Sequence, residues 1–246
     1  MKTIYYKIYP TLLDSFQNYL DSDKNWETFY GGSDKSDSPT IDEYNEKSFK
    51  ELIDRINRVP FESEAADKGT AFNEVVDCII EHRKSDKMDI KSDDKNIKVC
   101  YKNNTFAFPI TLCREFASYY KGAITQKEVE AIIDTRYGDV LLYGYIDELM
   151  PMSVHDIKTT SRYSSFKFRN HWQHMVYPYC LIKNGNEIRT FEYNITDFRN
   201  TYTETYVFDE KRDIPVLTSF VERFIEFLEV NRNLITDKKI FGGENE

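Results

Sequence analysis

The feature that most constrains this chain is a strand-turn-strand run near its middle. Val140-Leu141-Leu142-Tyr143-Gly144-Tyr145-Ile146-Asp147 is an apolar, strand-forming run that ends in an acid. Pro151-Met152 then breaks the run, and a second strand closes on Asp156-Ile157-Lys158. Together with the residues before it, this pattern predicts a three-stranded meander over 127–134, 139–148 and 152–158, with its first turn at Tyr137-Gly138. Folding the chain back about Pro151-Met152 sets Asp147 opposite Asp156, with Cβ atoms about 5 Å apart, a spacing at which like charges destabilise a bare sheet. Asp156 and Lys158, two residues apart, project from the same face. Two carboxylates and an ammonium therefore converge on one patch. Paired carboxylates are tolerated by sharing a proton or by binding a cation, and hard oxygen donors beside a lysine suit Mg2+ or Mn2+. A structural ion pair within the sheet is the other reading of the same residues.

Asp-x-Lys alone is a cheap pattern, since Asp89-Ile90-Lys91, Asp93-Asp94-Lys95 and Asp237-Lys238-Lys239 also match it. Those three fall in polar runs with no apolar strand leading into them, and the context selects Asp156.

Around the meander the chain reads as helices and short strands. A first helix is expected over 11–20, after Pro10, with a polar loop over 31–38 and a short helix over 49–59. Phe72, Val75, Val76, Ile79 and Ile80 form the apolar stripe of a helix over 69–84, which also carries Asn73 and Asp77 at i and i+4 on a polar edge. A charged connection over 85–96 precedes a peripheral hairpin, 97–101 with 105–109, turning at Asn103-Asn104. After the meander come a helix over 165–182 ending at Asn184-Gly185, strands over 187–195 and 202–208, and a helix over 216–230. The tail DKKIFGGENE is expected to fray. On the helix over 165–182, Arg169, Gln173 and Tyr177 fall on one stripe.

Residues 157–186 contain no Asp or Glu, yet carry Lys158, Arg162, Lys167, Arg169 and Lys183 interleaved with Tyr163, Phe166, Phe168 and Trp172. A basic and aromatic run of this kind suits a phosphate backbone with bases stacking nearby. Packing of the aromatics in a core, with the cations facing solvent, is the alternative. The acid-free gap is notable in a 246-residue chain with 42 Asp+Glu against 33 Lys+Arg and a formal charge of -9. That balance argues against indiscriminate nucleic-acid binding while leaving room for a local basic track. Aromatic residues at 15% exclude a disordered acidic chain. No apolar stretch approaches the roughly 20 residues of a membrane helix, and MKTIYYKIYP lacks a secretory signal's apolar core and cleavage site, so a cytoplasmic protein without a membrane partner is expected. Cys78, Cys100, Cys113 and Cys180 contain no C-x-x-C pair and read as small core residues.

Taken in order, the motifs resemble the PD-(D/E)XK nuclease superfamily, in its RecB-like and phage exonuclease branch. The resemblance is carried by Gly69-Thr70-Ala71-Phe72-Asn73 continuing to Asp77, Gly144-Tyr145-Ile146-Asp147, Asp156-Ile157-Lys158, and Gln173 with Tyr177. Pro10-Thr11-Leu12-Leu13-Asp14-Ser15-Phe16 is similar to the branch's N-terminal segment. Each motif is weak alone, and their order is the stronger signal. The family's helical histidine and glutamate are Asn73 and Asp77 here, and the cysteine cluster that holds an iron-sulfur centre in some relatives is missing, so no such centre is expected.

The resemblance implies an α/β fold with a restriction-endonuclease-like core of helix, three-stranded meander, helix and strand, plus added helices. It implies a single domain over 1–246, made of an N-terminal helical part (1–64), a nuclease core (65–210) and a C-terminal helix and tail (211–246). The implied activity is Mg2+- or Mn2+-dependent hydrolysis of DNA phosphodiester bonds, as an exonuclease in recombination, repair or phage DNA processing. Asp147, Asp156, the Ile157 carbonyl, Asn73 and Asp77 would hold the metal. Lys158, Gln173 and Tyr177 would complete the catalytic set, and Arg162, Lys167 and Arg169 would track the backbone. DNA, and a recombination or replication protein, are the implied partners. A degenerate member that binds nucleic acid without cutting it and a non-enzymatic α/β interaction module are the alternatives.

Overall fold

Strand-forming residues dominate 124–149, and in the computed structural model, which describes residues 4–31 and 38–242, they fold into one long antiparallel hairpin. Its arms are β5 (Ile124–Thr135) and β6 (Gly138–Leu149), and Gly138 supplies the positive φ of +100° that the turn requires. β5 covers one edge of β6 along its length. The other edge is shared. β1 (Ile4–Ile8) lies parallel to its start, with Ile8 opposite Leu142, and β7 (Ser153–Thr159) lies antiparallel to its end through Glu148 with His155 and Leu149 with Val154. Between these two contacts, residues 143–147 have no strand partner on that edge among the described residues. The sheet is forked there.

Beyond β7 the sheet continues with β8 (Thr190–Thr196), parallel to β7, and β9 (Thr201–Val207), antiparallel to β8. Helix α6 (Gln173–Lys183) makes the crossover between the parallel strands that such a pair requires. The fold is mixed α/β with a mixed sheet, order β1-β6-β7-β8-β9 with β5 also on β6.

Two apolar cores divide at β7. Val154 packs with α1 (Pro10–Leu20), α3 (Ile41–Ile56), α6 and α7 (Glu210–Val230), where Phe16 meets Phe220, Phe224 and Phe227 at centroid distances of 5.0–5.4 Å. Ile157, of opposite parity, packs into the second core with α4 (Glu64–Ile80) and α5 (Ile110–Tyr119). That core is completed by a separate three-stranded sheet, β2 (Asp89–Ser92), β3 (Asn96–Tyr101) and β4 (Asn104–Pro109). A further helix, α2 (Ser22–Tyr30), packs on α3.

Several expectations are corrected. The hairpin is not peripheral, because Phe72 of α4 packs on Phe108 at 5.4 Å and the pair is fully buried. Its turn falls at Lys102-Asn103, with Tyr101 paired to Asn104. The charged connection contains β2, so Asp89-Ile90-Lys91 sits on a strand after all, as an exposed ion pair of 2.9 Å. The helix over 49–59 is longer and earlier, because Thr40 and Glu43 form a capping box. The helix over 165–182 begins only at Gln173. Asp14 of α1 accepts from the Trp172 backbone N–H at 2.7 Å and so anchors that helix start from another element. Cys100 is exposed, whereas Cys78, Cys113 and Cys180 are buried as expected. The described part of the tail is not frayed: Ile240 and Phe241 are buried, and Gly242 N–H donates to Tyr5 O at 2.9 Å. Residues 32–37 of the polar loop and 243–246 of the tail lie outside the described residues. No helix among the described residues is long and apolar enough to cross a membrane.

Candidate metal centre

The fork in the sheet opens into a cleft of about 490 Å³ lined by Tyr9, Arg58, Asn73, Tyr143, Tyr145, Asp147, Asp156, Ile157, Lys158, Gln173 and Tyr177, among others. Its floor is the place where β6 and β7 part. Their register runs from Leu149–Val154 to Glu148–His155, and the next pair in line would be Asp147 with Asp156, where the ladder stops. The Asp147 side chain takes over at that point, its Oδ2 accepting from Ile157 N–H at 3.1 Å and from Asn73 Nδ2 at 3.2 Å. A strand residue's N–H and C=O share an edge, so the Ile157 carbonyl is aimed into the same fork.

β6 is irregular here in a way strict alternation does not anticipate. Val140, Leu142, Ile146 and Leu149 all enter one core, so the parity of the strand slips by one between Ile146 and Leu149. Gln126, which faces Asp147 across the hairpin, has φ +48° and is skipped in the ladder. Such local kinks beside sites re-aim side chains. The slip lets Asp147 face the fork while Glu148 is sealed beneath it.

On the other side of the fork, Lys158 Nζ lies 2.7 Å from Asp156 Oδ2 and donates to Gln173 Oε1 at 2.7 Å, while Gln173 Nε2 donates to Asp156 Oδ1. Gln173 thus clamps both members of the ion pair from the first turn of α6. Tyr177, one turn on, packs its ring over Gly144, where any Cβ would come within 2.8 Å of the ring. That close approach explains the glycine. Burial next to Asp156 raises the pKa of Asp147 to about 8, with Lys158 opposing the shift. Burial works against the Lys158 charge, but Asp156 and Asp147 outweigh it and raise its pKa.

Asp77 does not line the cleft. It is buried one turn along α4 from Asn73, where Gln126 Nε2 donates to its Oδ2 at 3.1 Å and Glu148 is its neighbour. Burial raises Asp77 to about 6, and burial beside Asp77 raises Glu148 to about 10. Glu148 is fully buried and neither of its oxygens has a hydrogen-bond donor.

Arg162, Lys167 and Arg169 are exposed and lie in the turns between β7 and α6, off the cleft wall. Lys167 Nζ is held by the Thr160 hydroxyl and the Arg162 carbonyl, the latter at 3.0 Å. Arg169 precedes the helix and so shares no stripe with Gln173 and Tyr177. Of the aromatics in this stretch, Trp172 stacks on Phe220 at 4.0 Å and Phe168 is buried, as core residues, whereas Phe166 is 66% exposed. Sequence reasoning missed Glu148 and the cleft residue Arg58. The first follows an already assigned acid, and the second has no motif around it.

Among the described residues no group of three or more His, Cys, Asp or Glu side chains is arranged to hold a metal ion. The donor set of the cleft is instead two carboxylates, an amide and a backbone carbonyl. Asn73 Oδ1 is buried without a donor and Asp156 Oδ2 has Lys158 as its ion-pair partner but no hydrogen bond, so oxygen donors remain for a hard divalent cation.

No family model matches the chain, and no curated protein matches it. Among solved structures it is similar to the one titled "Crystal structure of SSO0001", at 16% identity and a TM-score of 0.35, over 46% of this chain. The chain spans 56% of that chain's length, and a likeness at this TM-score carries no argument.

Proposed function

We propose that this chain is a metal-dependent DNA nuclease of the PD-(D/E)XK kind with an exonuclease's relationship to its substrate. The observation that carries the reading is the convergence of Asp147, Asp156, Lys158 and Gln173, from two strands and a helix, on one forked cleft. The order of helix α4, meander β5-β6-β7, helix α6 and strand β8 is the order that a restriction-endonuclease-like core calls for, and it supports the same reading. A bound Mg2+ or Mn2+ would supply acidified water and neutralise charge on the scissile phosphate.

Asp147 and Asp156 would hold that ion together with the Ile157 carbonyl, and the Asn73 amide oxygen is a further donor at hand. Gln173 fixes Asp156 and Lys158 relative to one another, so the ammonium is in place before substrate arrives. Lys158 then offsets charge that develops on the phosphate oxygens. Tyr177 and Gly144 set the depth of the cleft through their close packing. Arg162, Lys167 and Arg169, outside the cleft, would steady the flanking backbone.

The test is a gel assay of purified protein on linear and circular DNA with Mn2+, and with EDTA as control. Metal-dependent loss of linear DNA, abolished by Asp156→Ala and retained in Asp89→Ala, is the expected result. Equal loss of activity in both variants would show that the wrong motif was chosen.

One observation favours a second reading, a member that binds nucleic acid without cutting it. The Asn73 amide donates to Asp147, occupying an oxygen that a metal would otherwise take. DNA retained intact on the protein at every Mg2+ or Mn2+ concentration would select it. An interaction module would neither bind nor cut.

A further inference from the structure

Besides Lys158, the cleft lining among the described residues carries one other cation, Arg58. Arg58 follows the C-cap of α3 with φ +54°, a backbone state that side-chain-bearing residues rarely adopt. Its neighbour Asn57 is clamped to the C-terminal segment: Nδ2 donates to Leu234 O at 2.9 Å, and Oδ1 accepts from Thr236 N–H at 2.7 Å. Arg58 Nε pairs with Asp237 Oδ2 at 2.7 Å, and Nη2 donates to the Tyr143 hydroxyl at 3.2 Å. Nη1 has no partner among the described residues. An ion pair on an arginine side chain that is 49% exposed contributes little to stability. The left-handed backbone belongs to the end of α3 itself, where Arg58 N–H donates to Arg55 O at 3.1 Å and Val59 N–H to Asp54 O at 2.9 Å in a Schellman closure. With the Asn57 clamp, this helix end brings Arg58 to the cleft, where Asp237 and Tyr143 hold its guanidinium.

Lys158 sits between Asp156 and Gln173 at the candidate metal centre, whereas Arg58 is paired through Nε to Asp237 and through Nη2 to Tyr143 and can offer its remaining guanidinium N–H groups to a second anion in the same cleft. A planar fork suits a phosphate group better than a point charge does. Beside it, Tyr143 and Tyr145 alternate onto the same face of β6, Tyr9 meets Tyr143 edge-on at 5.8 Å, and Tyr145 is 53% exposed. The Tyr145 hydroxyl donates to Glu128 at 3.3 Å, and an exposed ring lining the same cleft as a held guanidinium suits an unpaired nucleotide, phosphate on the cation and base on the aromatic face. A base still stacked in a duplex could not use it.

We propose that Arg58 and Tyr145 form a nucleotide subsite for an unpaired stretch of DNA strand, with Arg58 on the phosphodiester and Tyr145 under the base. The proposal rests on the nuclease reading for its substrate, but its binding arm is independent of cleavage. A dye-labelled oligothymidylate is titrated with protein in EDTA at several salt concentrations, by fluorescence anisotropy, for wild type, R58Q and Y145A.

R58Q is expected to weaken binding about tenfold and to lower the slope of log affinity against log salt by about 0.7, one phosphate's share on a single strand. Y145A is expected to weaken binding about tenfold with the slope unchanged, because stacking releases no counterion. Should R58Q fail to fold, the R58Q/D237N double variant leaves no unpaired carboxylate and carries the same reading. Unchanged affinity and slope in R58Q, or no binding of oligothymidylate by wild type, overturns the subsite. If wild type never cleaves DNA with Mn2+ yet R58Q still loses affinity and slope, the nuclease reading falls and the subsite stands. If wild type cleaves and R58Q binds and cleaves as wild type does, the reverse holds.

Discussion

Two carboxylate pairs share adjacent residues of β6, Asp147 and Glu148, and they are built in opposite ways. Asp147 and Asp156 stand at the open fork, with Ile157 N–H, the Asn73 and Gln173 amides and the Lys158 ammonium around them. Asp77 and Glu148 are sealed beneath the sheet with a single amide donor, from Gln126, between them. The first pair keeps a cation beside it and a path to solvent. The second has neither, and burial resolves its charge by protonation, with Glu148 raised to about 10. Adjacent acids on one strand thus acquire different chemistry from where the fork opens, not from their identity.

The sharpest way to break this comparison is to exchange its members. Asp156→Ala or Asp147→Ala should lower metal-dependent cleavage by about a thousandfold or more, since both are asked to hold the ion. Glu148→Gln should stay within about threefold of wild type, because glutamine replaces a protonated carboxyl with a neutral group of the same shape. Initial rates on linear DNA decide it, and a Glu148→Gln enzyme as inactive as Asp156→Ala would mean the two pairs act as one site.

A second measurement sharpens the open pair. Asp147 is raised to about 8, so a cation entering the cleft must displace its proton. Calorimetric Mn2+ affinity should therefore rise about tenfold per pH unit below about 8 and level off above it. Asn73→His should tighten Mn2+ binding by about tenfold, as imidazole is a better donor than an amide towards the later divalent metals. An unchanged affinity, with Asp147→Ala eliminating binding in both backgrounds, would place Asn73 outside the coordination sphere.

The closed pair makes a stability statement. Glu148 holds its proton in the folded protein up to about pH 10 but releases it near 4.5 when unfolded, so folding is progressively disfavoured as pH rises through that window. Glu148→Gln should therefore stabilise the metal-free protein by about 1–3 kcal/mol at pH 9 and have no such advantage at pH 4. Denaturant midpoints at the two pH values measure it, and a gain that does not grow with pH would remove the account of this pair.

The smallest effect is expected outside both pairs. Replacing Arg162, Lys167 and Arg169 together by alanine should weaken DNA binding about threefold and flatten its salt dependence slightly, since the three lie off the cleft wall.

The meander and its register were readable from the chain because a strand's period of two is local. Pro151-Met152 breaks the run, and the pairing that follows puts Asp147 next in line opposite Asp156. The Gly185 cap of α6, with φ +81°, was readable for the same reason. The capping box at Thr40 and Glu43 was present in the sequence as T-x-x-E and was the missed signal for the start of α3. The late start of α6 was not readable, because Asp14, which holds Trp172, is 158 residues away.

What the amino-acid order determines by itself is therefore the set of strands, the acids and lysine at their ends, and the face each would take in a regular sheet. Tertiary structure decides which of those acids meets solvent and which is sealed, through the parity slip between Ile146 and Leu149 and the gap that β1 and β7 leave along β6. It also decides that Arg58 belongs to the cleft, since the residue that holds it, Asp237, arrives from the far end of the chain. Periodicity is written in neighbours, whereas burial and charge environment are set by whatever the rest of the chain brings alongside, and only the folded molecule specifies that.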